Sequence, residues 1–82
     1  MLSSGQIKAA RALLGWKGQD LAERSGVGIT TLRRYELQSG IPAANIKVLM
    51  AIKTTFENAG IEFTGNPLVN PGVILHLDHQ GK

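Results

Sequence analysis

The sequence predicts a mainly α domain of four helices followed by a C-terminal two-stranded β-hairpin, and three observations predict it. Apolar residues recur at helical spacing in successive segments, the first opening on a capping box, that stop at Gly15, Gly26, Gly40 and Gly60. After Gly60 the pattern changes to alternation and β-branched residues. The chain has 82 residues and no cysteine, so one small core without disulfides or thiolate metal sites must hold it. Residues 1–60 read as the helical domain and residues 61–82 as a hairpin extension.

Charge narrows the partner. The net charge is +3 and the pI about 9.7. Residues 1–60 hold eight Lys/Arg against four Asp/Glu, whereas residues 61–82 hold one against two. This favours an anionic partner for the helical part, against the plainer reading of a solvated basic surface. No uninterrupted apolar run reaches the roughly 18 residues of a membrane span, so no membrane role is expected. The N-terminus lacks a basic region followed by an apolar stretch, so no secretory signal is expected. With no cysteine, a cytoplasmic location fits.

The first helix runs from about Ser4 to Leu14. Ser3 and Gln6 form an S-x-x-Q capping box, and Ile7, Ala10, Arg11 and Leu14 share a face. Gly15 ends it. Trp16 follows, and its ring plugs the junction of the first two helices; stacking on a nucleic acid is the other use for it. Lys17 and Gly18 lead into the second helix. The fourth helix runs from about Ala43 to Asn58, after the break at Ile41-Pro42. Its repeat is Ile46, Leu49, Ile52 or Lys53, and Phe56, with Met50 alongside. Ile61-Glu62-Phe63 and Val73-Ile74-Leu75-His76-Leu77 read as antiparallel strands, joined by a loop with Pro67 and Pro71.

The centre of the chain is Gln19 to Gly40, QDLAERSGVGITTLRRYELQSG. It reads as two short helices joined by a tight turn. Gly26 stops the first, because glycine takes left-handed backbone angles without a Cβ clash. The second starts near Gly28 or Ile29 and runs to about Gln38. On a helical wheel Leu32, Tyr35, Glu36 and Ser39 fall on one side, and Thr30, Arg33, Arg34 and Leu37 on the other. Two adjacent arginines beside a short hydroxyl suit a helix lying in the DNA major groove. Two charges sit on apolar faces, Arg11 and Glu36. A lone buried charge is costly, so the two are expected to pair; the alternative is that both reach solvent at the edges of their stripes.

Residues 7–59 resemble the helix-turn-helix domain of the lambda-repressor and Cro (XRE-type) family of DNA-binding proteins. The resemblance rests on Leu21-Ala22, Gly26-Val27, Leu32, Glu36, the Pro42 break and the apolar fourth helix. It implies a lambda-repressor-like helix-turn-helix fold and sequence-specific binding of double-stranded DNA by a small bacterial or phage transcriptional regulator, a repressor rather than an activator. In that family an arginine of the first helix pairs with the glutamate that ends the recognition helix, and Arg11 and Glu36 stand at those positions. The base-reading positions fall on Gly28, Ile29, Thr30, Arg33 and Arg34. Ile29 lies between the two faces, to pack inward or to touch a thymine methyl. The family's second helix opens on a polar cap and a glutamine that holds a phosphate. Here Lys17 stands at the cap, Gly18 at the glutamine position and Gln19 one later. Lys17 and the Gly18 N–H offer the phosphate contact in its place.

Other functions fit less well. No cysteine and no suitably placed serine–histidine set supports nucleophilic catalysis, so no enzyme activity and no cofactor are expected. His76-Leu77-Asp78-His79 suggests metal, but residues three apart on a strand face opposite ways, so no metal site is expected. Gly26-x-Gly28 follows no strand and makes no phosphate loop. The serious rival is a protein-interaction module of the same fold, such as the antitoxin of a toxin–antitoxin pair, with a toxin or effector protein as partner. A homodimer is expected, since one recognition helix covers few base pairs. Ile61, Phe63, Val73, Ile74, Leu75 and Leu77 exceed what a hairpin needs for itself. Residues 61–78 are therefore expected to pair with a second subunit or to cover the fourth helix across a two-fold axis; the alternative is that the hairpin folds back on its own helices.

Overall fold

The computed structural model describes residues 2–43 and 45–77. Four helices, α1 (Ser4–Leu14), α2 (Gly18–Ser25), α3 (Ile29–Leu37) and α4 (Ile46–Asn58), precede strands β1 (Ile61–Thr64) and β2 (Gly72–Leu75). The strands pair antiparallel, with Ile61 opposite Leu75 and Phe63 opposite Val73.

Local chemistry sets most of the boundaries. Ser3 Oγ accepts the Gln6 N–H at 3.1 Å and Gln6 Oε1 accepts the Ser3 N–H at 3.0 Å, which completes the capping box of α1. Gly26, at φ 76°, takes the left-handed turn that ends α2, and its N–H reaches the Ala22 carbonyl at 3.0 Å. Ser25 Oγ accepts the Val27 N–H at 3.2 Å, which fixes the turn into α3. Helix α4 begins at Ile46 rather than near Ala43. The Asn45 side chain accepts the Lys47 N–H and caps the helix there, while the Ala43 N–H is held by Gln38 Oε1 at 2.8 Å.

The core gathers Ile7 and Ala10 of α1, Leu21 of α2, Leu32 and Tyr35 of α3, and Leu49, Ile52 and Phe56 of α4, with Leu2 and Ile61 beside them. Several sequence expectations change here. Ile46 and Met50 are each 60% exposed, so the buried face of α4 runs through Leu49, Ile52 and Phe56. Ser39 lies beyond the end of α3 and is exposed. Trp16 stacks on Phe56 of α4, with ring centroids 5.7 Å apart, rather than plugging the junction of α1 and α2 alone. Phe63 meets the same Phe56 edge-on at 6.0 Å. One aromatic row thus joins the start of α2, α4 and β1.

The hairpin folds on its own helices. Ile61 is buried, and Phe63, Val73 and Leu75 of the same sheet face pack against the core, so most of the apolar surplus is used inside the chain. Gln6 Nε2 also donates to the carbonyls of Thr64 (3.3 Å) and Gly72 (3.1 Å), which ties the last rung of the hairpin to the first turn of α1. Ile74 and Leu77 stay exposed. The proposed strand pairing reached Asp78, and the histidine motif reached His79; both residues lie outside the described ones.

Candidate nucleic-acid interface

Helix α3 is held from three sides. Leu32 and Tyr35 anchor it in the core. Its C-terminal end is tied to α1, where Ser4 Oγ donates to the Tyr35 carbonyl at 2.6 Å and the Ser4 N–H to Gly40 O at 2.8 Å. The third hold is the ion pair. Arg11 Nε and Nη2 donate to the two oxygens of Glu36 at 3.0 and 2.8 Å, and Nη1 donates to the Trp16 carbonyl at 3.1 Å. Both charges are only partly buried, at 27% exposure for Arg11 and 15% for Glu36. The hydrogen bonds that Arg11 donates to Glu36 raise the Arg11 pKa above its ordinary value against the opposing effect of burial, so the guanidinium stays charged throughout the accessible pH range.

With its inner face fixed, α3 presents the other. Thr30, Arg33, Arg34 and Leu37 are exposed, and Thr31 is half-buried. The exposed Arg34 lies with its guanidinium carbon 5.8 Å from the Tyr35 ring centroid, a cation–π contact. Gly28 is the N-cap of α3 and supplies no side-chain cap, so the first N–H groups of the helix lack a side-chain partner there.

The start of α2 lies beside the start of α3. A Cβ at Gly18 would stand 3.0 Å from Ile29 Cδ1, so the half-buried Ile29 packs inward over Gly18. Gln19, Gly28 and Ile29 line one shallow groove together with Glu23. Gln19 Nε2 sits 3.4 Å from a Glu23 oxygen. Lys17 is the N-cap of α2. Its ammonium has no acceptor lone pair, but its N–H is taken by Asp20 Oδ2 at 2.8 Å. Gly18, Gln19, Gly28 and Ile29 are therefore brought together, Thr30 and Arg34 stand clear on α3, and Arg33 faces α1. On that side Arg33, Glu36 and Leu37 share a notch with Lys8 of α1, a residue the sequence did not single out.

At the other end, His76 Nε2 lies 2.7 Å from Glu62 Oε1 across the outer sheet face. No cluster of three metal-ligating side chains occurs among the described residues. No described helix is long and apolar enough to cross a membrane.

Two short helices meeting at a glycine turn, the second pinned at its back and basic at its front, define a helix-turn-helix protein. The Helix-turn-helix family model matches residues 7–52, more than half of the chain. The chain belongs to that family, the Cro/C1 or XRE type of DNA-binding regulator. No curated protein matches it.

Proposed function

We propose that this protein is a sequence-specific regulator that lays α3 in the major groove of double-stranded DNA. The observation that carries the reading is the division of α3: Leu32, Tyr35 and Glu36 turned inward, Thr30, Arg33 and Arg34 exposed. Arginine side chains donate in a fork that matches guanine edges and phosphates. Thr30 adds a short hydroxyl and methyl for adjacent base edges. Gly28 lets the start of α3 approach the duplex without a side chain, and Ile29 supports it from Gly18. Lys17, the N–H groups at Gly18 and Gln19 hold a phosphate at the start of α2. We assign repression, which requires only occupancy of the site, in the cytoplasm where the DNA lies.

The active form is a homodimer on two half-sites about one DNA turn apart. Ile74 of β2 and Leu77 just beyond it are exposed apolar residues that the core does not use, as are Leu68 and Val69 of the loop between the strands. Sedimentation equilibrium of the full chain and of Ile74→Glu/Leu77→Glu is expected to give a dimer and a monomer respectively. A parent that remains monomeric while bound to one half-site contradicts the dimer.

Binding is tested by gel shift against a random duplex pool, followed by selection. Arg33→Ala/Arg34→Ala is expected to abolish the selected complex. Undiminished binding by that variant removes α3 from the groove. The rival reading, an antitoxin-like module with a protein partner, is favoured by the exposed Ile46 and Met50 on α4. An antitoxin can also bind DNA, so the rival stands apart only as a module that binds protein alone, and in that form it predicts no shift of any duplex.

A further inference from the structure

The geometry points to a backbone-phosphate clamp formed by Lys8 of α1 and Arg33 of α3, which leaves Arg34 and Thr30 as the base-reading pair. The inference rests on the duplex-DNA reading above and assigns one of its arginines. An open notch of about 290 Å³ between α1 and α3 is lined by Lys8, Arg33, Glu36 and Leu37. Its only acid is already committed, because both oxygens of Glu36 are held by Arg11. Lys8 and Arg33 have no hydrogen-bond or ion-pair partner among the described residues. Two unpaired cations therefore face one notch whose acid is neutralised, and such a site attracts a compact anion. On a duplex that anion is a phosphate diester. Leu37, 86% exposed at the lip of the notch, offers an apolar surface to the deoxyribose that carries it.

The placement separates the two arginines. Lys8 is one helical turn from Arg11 on α1, at the flank of α3 rather than on its front. A cation that shares a notch with the neighbouring helix sits where the backbone runs, at the edge of the groove. Arg34 does not line that notch; its guanidinium lies over Tyr35, one residue along. Contacts to phosphate position a protein on DNA, and contacts to base edges specify the sequence.

The experiment measures the affinity of parent, Lys8→Gln, Lys8→Arg, Arg33→Gln and Arg34→Ala by fluorescence anisotropy. The probes are a duplex selected from a random pool and the unselected pool, between about 50 and 200 mM salt. Lys8→Gln is expected to weaken both probes alike, and to lower the salt slope by about 0.9, so that affinity falls about 3-fold less across that range. Arg33→Gln should behave the same way, and Lys8→Arg should match the parent. Arg34→Ala should instead lose preference at one base position. The clamp is overturned if Lys8→Gln leaves affinity and slope unchanged, or if Arg33→Gln relaxes one base position. In both cases the parent still binds DNA, and the broader reading stands. A parent that binds no duplex overturns both.

Discussion

Removal of one partner of the Arg11–Glu36 pair tests how α3 is held. Glu36→Leu leaves Arg11 with Nε and Nη2 facing an apolar side chain, while Nη1 keeps the Trp16 carbonyl. Arg11→Met leaves the more enclosed partner, the Glu36 carboxylate, without either donor. A fully buried pair broken from one side costs about 3–5 kcal/mol, and a solvated pair contributes under about 1 kcal/mol. With 27% and 15% exposure the pair lies between these limits, so each single change is expected to cost about 2–3 kcal/mol, Arg11→Met the more. For a chain of 82 residues, total stability is on the order of 4–12 kcal/mol, so this is a large fraction. The melting temperature should fall by about 10–20 °C. Arg11→Met/Glu36→Leu removes both charges and fills the space, and should cost less than the two singles together by about 1.5 kcal/mol or more. Urea denaturation followed by circular dichroism gives all four stabilities. Singles within about 0.5 kcal/mol of the parent, with no coupling between them, would refute the reasoning and make the pair a solvated one.

Gln6→Glu keeps the shape of the side chain but turns an oxygen toward the Thr64 and Gly72 carbonyls; a loss of about 2–3 kcal/mol is expected, with amide exchange faster in β1 and β2 than in α2. Ser3→Ala should cost only about 1 kcal/mol, the value of one cap, and leave the hairpin protected; equal effects of the two changes would sink the tether. Gly18→Ala gains helix propensity worth about 0.5–1 kcal/mol but presses its Cβ on Ile29 Cδ1. The stability gained should therefore be larger in an Ile29→Val background than in the parent, and strict additivity in thermal melts would show that the contact is without consequence.

The helices of this protein were legible because their signals are local. A capping box at Ser3 and Gln6 and a left-handed glycine at Gly26 act within one turn, and they fall in the chain where the helices start and stop. The exposed arc of α3 followed from the wheel for the same reason: spacing alone decides which residues share a side. The spacing from Leu21-Ala22 to Gly26-Val27 to Glu36 carries the family resemblance.

The structure decided what depends on distant partners. Periodicity gave α4 a broad stripe but not its centre, since Ile46, Leu49, Met50 and Ile52 lie within neighbouring rows; packing of Phe56 against Trp16 and Phe63 buries Leu49 and Ile52 and leaves Ile46 and Met50 outside. Gln6 announced a cap, and nothing near it in sequence announces the two hairpin carbonyls it also holds, because they come from more than fifty residues away. Gly18 stands where the family has a glutamine, and nothing near it in sequence announces that Ile29 occupies the space above it. The apolar residues of the tail spoke for burial without naming the surface, and the core of the same chain takes Ile61, Phe63, Val73 and Leu75. Sequence spacing fixes which way a side chain points from its own element; what it meets there depends on the elements that the tertiary fold brings opposite.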